Sequence, residues 1–234
     1  MFVPCAFSRK QEDPAMNTSD ALRQILTYAD DKPLLIPANT FLEPEQEHLA
    51  NAYIVEQGLI IQGYYNRSGD RQICRVYRPG DVFGLESLDG GLLKNSPPLV
   101  SETLSDCQVM RLPLTRLRQQ QSSSLSLAQV ISHLLSREVI ASHYWKINIG
   151  SGPAISRICR FLLWVAHRDR CIVPPRDKLG SIVSVTTETA SRTIANLRRQ
   201  GCLLPFEYPQ RDHMRIDRTE LLRHAGEFWD NRAA

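Results

Sequence analysis

What this chain of 234 residues lacks narrows its function before any motif is read. Its six cysteines, at positions 5, 74, 107, 159, 171 and 202, include no CxxC pair. That scatter argues against a zinc site or a disulfide framework and fits a reducing cytoplasm. No apolar run is long enough to cross a membrane. The opening MFVPCAFSRKQEDPAM has no extended apolar stretch, so no secretory signal is expected. There is no HExxH, no GxSxG elbow, no Walker A loop and no conspicuous pair of carboxylates, so an enzyme is not expected.

What is there suits a globular protein of two modest domains, with 42% hydrophobic residues. Net charge is only +3 but unevenly spread. From Ser151 onward 14 Lys and Arg face 9 Asp and Glu, whereas the first 150 residues carry 14 against 16. A basic C-terminal part suits contact with phosphates, although an excess this modest also fits simple solvation.

The most informative stretch is Arg176–Cys202, RDKLGSIVSVTTETASRTIANLRRQGC. Leu179, Ile182 and Val183 give a first helix an apolar side. Ser184-Val185-Thr186 supplies a turn, with Thr186 able to cap the next helix through its hydroxyl. Ala190, Ile194 and Leu197 then form one buried stripe. Thr187, Glu188, Ser191 and Arg192 are left on the opposite face at the helix N-terminus, with Arg198 and Arg199 at its far end. A helix-turn-helix inserts that N-terminal part into the major groove. There Arg can grip guanine O6 and N7, and Glu can accept from cytosine N4. The same pattern also fits an ordinary helical hairpin with a solvated polar face.

In chain order, residues 1–19 read as a flexible arm and Asp20–Tyr28 as a short helix. Residues 20–124 form a domain in which Leu34–Leu117 carries β-rich runs separated by turns, including a hairpin turn at Asn66–Asp70 and a loop at Gly90–Pro98. Short strands at this spacing predict a small antiparallel barrel or sandwich. Leu125–Ile149 switches to helical periodicity, with a stripe through Leu127, Val130, Ile131 and Leu134. That stripe can pack on its own barrel or on a second copy of the chain. NIGSGP (148–153) breaks the helix and reads as a hinge. The remainder, 150–234, reads as a helix over Ala154–His167, the helix-turn-helix, a two-stranded wing (Leu203–Tyr208 and His213–Ile216) and a closing helix, Arg218–Trp229.

This order of arm, barrel, long helix, hinge, helix, helix-turn-helix and wing resembles the Crp/Fnr family of bacterial transcription regulators. The barrel stretch YIVEQGLIIQGYYNRSGDRQICRVYRPGDVFG (53–84) looks like the family's core, and Ser156–Leu163 sits where the family has its helix after the hinge. GDRQI (69–73) and ETASR (188–192) lean towards the Fnr branch. The resemblance implies an α+β fold: an antiparallel jelly-roll barrel like those that bind cyclic nucleotides, a dimerisation helix and a winged helix-turn-helix. It implies that Glu188, Ser191 and Arg192 read bases, with Thr187 where the other branch has a base-reading arginine. The implied half-site is similar to TTGAT, bound on double-stranded DNA by a homodimer. RNA polymerase is the further partner implied.

The chain departs from the family's sensing motifs. Leu85 follows Phe83-Gly84 where the cyclic-nucleotide cassette has Glu, and Asn95–Leu99 offers no phosphate-binding Arg. An iron–sulfur cluster like that of the Fnr branch needs four thiolates, three of them closely spaced near the N-terminus, where only Cys5 stands. No cofactor is therefore expected. Haem on His48, His133, His143 or His167, or redox chemistry at Cys5, Cys74 or Cys171, are the alternative modes of sensing. Cys159 and Cys202 read as core. A reading of another class is a barrel that binds proteins, without specific DNA binding.

Overall fold

A computed structural model describes residues 18–42, 50–65, 71–89, 99–121, 124–205 and 213–228. The arm up to residue 17, the turn at Asn66–Asp70 and the loop at Gly90–Pro98 lie outside them. Helix α1 (Thr18–Leu26) precedes seven strands: β1 (Leu34–Ile36), β2 (Asn51–Gln57), β3 (Ile60–Tyr65), β4 (Arg71–Tyr77), β5 (Val82–Phe83), β6 (Val100–Thr103) and β7 (Cys107–Pro113). They form two antiparallel sheets, in the orders β1-β7-β2-β5 and β4-β3-β6. No closed barrel forms among the described residues. The sheets instead face each other across a shared core of Tyr53, Val55, Ile60, Tyr77, Phe83, Cys107 and Val109.

The outer faces of both sheets are also covered, which is why the strands read as apolar runs. Ala52, Ile54 and Leu112 turn outward into a second cluster with Ala21 and Ile25 of α1 and with two further helices. These are α2 (Leu114–Gln121) and α3 (Leu125–Ile149). Ile61 and Val76, on the other sheet, join a third cluster that runs into the C-terminal part of the chain.

Helix α3 has the predicted bounds for local reasons. The Ser124 side chain accepts from the Leu127 amide at its start, and the Gly150 amide donates to the Lys146 carbonyl at its end. After the break come α4 (Ala154–Val165), β8 (Arg170–Ile172), α5 (Arg176–Val183), α6 (Thr187–Arg199), β9 (Leu203–Leu204), β10 (His213–Ile216) and α7 (Arg218–Ala225). Helix α4, with Phe161, Leu162 and Trp164 fully buried, is the hub of this part. The wing is more than the expected pair of strands: β10 pairs with β9 on one side and with β8 on the other.

Candidate nucleic-acid interface

The recognition unit is built on one close approach. The turn between α5 and α6 folds back so tightly that a Cβ on Gly180 would lie 2.7 Å from the Val185 carbonyl oxygen. Only glycine leaves room there. Ser184 ends α5 in the left-handed conformation, with φ 54° and ψ 51°. Arg157 of α4 closes the same end by donating to the Val183 and Ser184 carbonyls, at 2.8 and 3.1 Å. A cation is well placed at this helix C-terminus, where the last carbonyls lack partners. Thr186 then starts α6 as its N-cap, accepting from the Thr189 amide at 3.2 Å.

Helix α6 buries Ala190, Ile194 and Leu197 and leaves Thr187, Glu188, Ser191 and Arg192 exposed. Glu188 and Arg192 are ion-paired across one turn, with side chains 72% and 79% exposed. Exposed pairs at this spacing are worth roughly 0.3–0.5 kcal/mol, so the pair orients both side chains without locking them away from a ligand. Arg198 and Arg199 are exposed in the last turn. Arg198 reaches back to the Met214 sulfur of the wing, at 3.9 Å. Partial burial, and then the charge of Arg198, hold the Arg176 guanidinium below its ordinary value. Sequence reasoning missed Arg176, which opens α5 two residues before Lys178.

The four residues expected to form a dimer face are placed otherwise. Leu127, Val130, Ile131 and Leu134 are all buried within the single chain, in the cluster with α1, α2 and the outer face of the β2-bearing sheet. Most of their apolar surface is already buried within the single chain. The exposed apolar residues of α3 are Leu125 at its start and Val139, Ile140 and Ile147, which are 56%, 50% and 52% exposed.

Known proteins share this geometry. A family model for the Crp-like helix-turn-helix domain matches residues 156–225. The transcriptional regulatory protein btr of Bordetella pertussis is 25% identical over 160 residues, 64% of each chain. The nitrogen fixation regulation protein FixK of Azorhizobium caulinodans is 25% identical over 181 residues, 73% of this chain and 71% of that one. The match therefore spans a little under two thirds of btr. Residues 156–225 thus form a Crp-like helix-turn-helix domain, and the chain is similar to regulators of the Crp/Fnr family. Its fold is that of solved Crp/Fnr structures. FixK2 of Bradyrhizobium japonicum superposes with a TM-score of 0.67 at 22% identity, over 86% of this chain and 99% of that one. A CRP-family regulator from Thermus thermophilus does so at 0.66 and 20%, over 83% and 97%.

Within this Crp/Fnr fold the sensing residues are placed plainly. Leu85 is buried among the apolar residues of α1, α2 and α3, so the position of the cassette glutamate is used for packing. Cys171, a candidate for redox chemistry, is buried: strand β8 turns it inward between Arg170 and Ile172. Burial pushes its thiol up to about 12, that of Cys159 to about 12 and that of Cys107 to about 11. Cys74 is exposed and Cys202 buried, and partial burial raises both thiols from 9.0. For the buried Cys107, Cys159 and Cys171 these are the surroundings of inert thiols, whereas Cys74 stands at the surface. His133 is half-buried, and His143 and His167 are exposed; Cys5 and His48 lie outside the described residues. Among the described residues no three His, Cys, Asp or Glu side chains are grouped to hold a metal ion. Cys5 and the stretch Asn95–Pro98, expected to lack a phosphate-binding arginine, lie outside the described residues.

Proposed function

We propose that the chain is a sequence-specific DNA-binding transcription regulator that acts as a homodimer on a TTGAT-like palindrome. The observation that carries this reading is the exposed set Glu188, Ser191 and Arg192 at the N-terminal end of α6, opposite its buried stripe. Arg192 supplies the bidentate guanine contact and Glu188 faces a cytosine. Thr186 and Thr187 lie beside the flanking backbone, while Arg198 and Arg199, with Arg176, hold phosphates. Btr, FixK and the fumarate and nitrate reduction protein of Escherichia coli are each named as regulatory proteins, which supports the same role here.

A homodimer is supported by Val139, Ile140 and Ile147, large apolar side chains left uncovered along one stretch of α3. RNA polymerase is the further partner expected of a regulator of this type. No described helix is long and apolar enough to cross a membrane, and the cytoplasm is the proposed location. No effector is assigned, because the cassette position is filled by Leu85. The test is fluorescence anisotropy with a TTGAT-N4-ATCAA duplex against a scrambled duplex of equal length and salt. Specific sites are typically bound about 10³-fold or more tightly than non-specific ones. Equal affinity for both duplexes would reject the specific reading and favour the alternative of a protein-binding module.

A further inference from the structure

Helix α3 has two sides with different surroundings. Leu127, Leu134, Ala141 and Trp145 are buried along one of them, where α1, α2 and α4 pack. The opposite side is exposed at Leu125, Gln129, Ser132, Ser136, Val139 and Ile140, and again at Ile147. His143 is exposed in the middle of the apolar end of this side. It follows Val139 by four residues and Ile140 by three, and precedes Ile147 by four. Those are the spacings at which side chains on one helix are neighbours. No carboxylate of α3 is left to pair with it. Glu138 is the single acidic residue of the helix, and Arg75 of β4 holds it on the buried side at 3.0 Å. Lys146 is exposed one turn on, with half-buried His133, Arg137 and Tyr144 at the flank. The elements on the buried side carry Asp20, Arg23, Glu86, Arg116, Arg118, Arg157 and Arg160. Among the described residues none of these makes a hydrogen bond or ion pair with His143.

The homodimer proposed above sets what a second copy brings to this place. Each helix-turn-helix follows the C-terminal end of its own α3. The two half-sites of a palindrome lie on one duplex, about one helical turn or a multiple of it apart. Both α3 helices then point their C-terminal ends at the DNA, which makes them parallel. In a parallel two-fold pair, equal positions meet across the seam. His143 of one copy therefore meets His143 of the other, between two sets of Val139, Ile140 and Ile147. Neither α3 supplies a carboxylate to offset a charge there, and Lys146 adds a cation from each side.

We propose that His143 makes the homodimer proton-sensitive: two neutral imidazoles pack within the apolar seam, and two imidazolium ions force it apart. This rests on the homodimer reading given above. Histidine is the side chain whose ordinary titration, near about pH 6.5, falls between pH 5 and 8. Burial and a facing like charge both disfavour its charged form. The dimer therefore binds fewer protons than two separate chains. Its stability is intact above about pH 6.5 and is lost as the pH falls below that value. Exclusion of one proton from each of two ordinary histidines raises the dimer Kd about a hundredfold between pH 7.5 and 5.5. A fall in pH thus releases the palindrome without a small-molecule effector.

The test is sedimentation equilibrium of the full chain and of its H143Q, H143K and H133Q variants, at pH 7.5 and 5.5 and fixed salt. The parent and H133Q should dimerise about a hundredfold more weakly at the lower pH. H143Q should lose this response, because glutamine does not titrate. H143K carries its charge at both pH values and should be weakened at both. A parent that dimerises equally at pH 7.5 and 5.5, or an H143Q variant that keeps the full response, would overturn the proposal while leaving the dimer intact. So would an H143K variant that pairs as tightly as the parent at pH 7.5. Loss of the response in H133Q rather than H143Q would place the sensitive histidine elsewhere and contradict the proposal. A parent that is monomeric at pH 7.5 would overturn the homodimer reading and the proposal with it.

Discussion

Replacing Leu134 by Ala separates the two jobs that α3 can do. Leu134 is 4% exposed and packs with Leu127, Val130 and Ile131 against α1 and the sandwich. Truncation removes three buried carbons and leaves a cavity that the two flanking helices and the sheet cannot fully close. Leu→Ala changes at such sites cost about 2–5 kcal/mol. The lower half of that range applies here, since Leu134 lies at the edge of its cluster, next to half-buried Leu135. Ile147→Glu, at a half-exposed position, should cost a single chain no more than about 0.5 kcal/mol but should place a charge in the proposed dimer contact. Urea unfolding followed by circular dichroism measures the first effect. Sedimentation at micromolar concentration measures the second, against the single-chain mass of 26.6 kDa. L134A should be destabilised yet still dimeric, and I147E stable yet monomeric. The opposite result, a stable monomeric L134A, would mean that Leu134 faces a second copy after all.

Other consequences are as sharp. Above pH 9 an unfolded chain releases thiol protons that Cys159 and Cys171 retain until about pH 12 when folded. Stability should therefore be intact below pH 9 and fall by about 1.4 kcal/mol per pH unit for each thiol between those values. Urea midpoints of the parent and of C159A/C171A across pH 8–10.5 check this; identical slopes would contradict the burial argument. Calorimetry with cyclic AMP and cyclic GMP should give no binding up to about a millimolar, a limit of roughly −4 kcal/mol. A micromolar dissociation constant would prove the reading of Leu85 wrong.

How much of this was legible in the sequence depends on how local each cause is. Helix α6 was, because Thr186, the Ala190–Ile194–Leu197 stripe and the tight turn are set by neighbours in the chain. The bounds of α3 were, through the switch to helical periodicity at Leu125 and the break NIGSGP at 148–153. Which face of α3 is covered was not. Leu134 and Ile147 are equally apolar, and only long-range packing decides that one meets the sandwich and the other solvent. Helix α2 was missed because LTRLRQQQ offers only Leu114 and Leu117 as buried positions. Strand β8 is three residues long and gains its partner from residues 213–215, so nothing local announced it. The same strand explains the misplacement of Cys171. Alternation along a strand turns consecutive side chains to opposite faces, so Cys171 points inward while Arg170 beside it stays exposed. The pairing of Lys178 with Glu102, 76 residues away, has no sequence signature at all.

The central claim is that the N-terminal end of α6 reads bases, and binding-site selection with the parent, R192A and R199A tests it most directly. Arg192→Ala should lose the guanine preference in each half-site and weaken specific binding by about 1–3 kcal/mol per half-site, with non-specific binding much less affected. Arg199→Ala should keep the parent's preferred sequence and lower the slope of affinity against salt by about one. If R199A changes the selected sequence while R192A leaves it intact, the recognition face lies at the other end of the helix and the account is wrong.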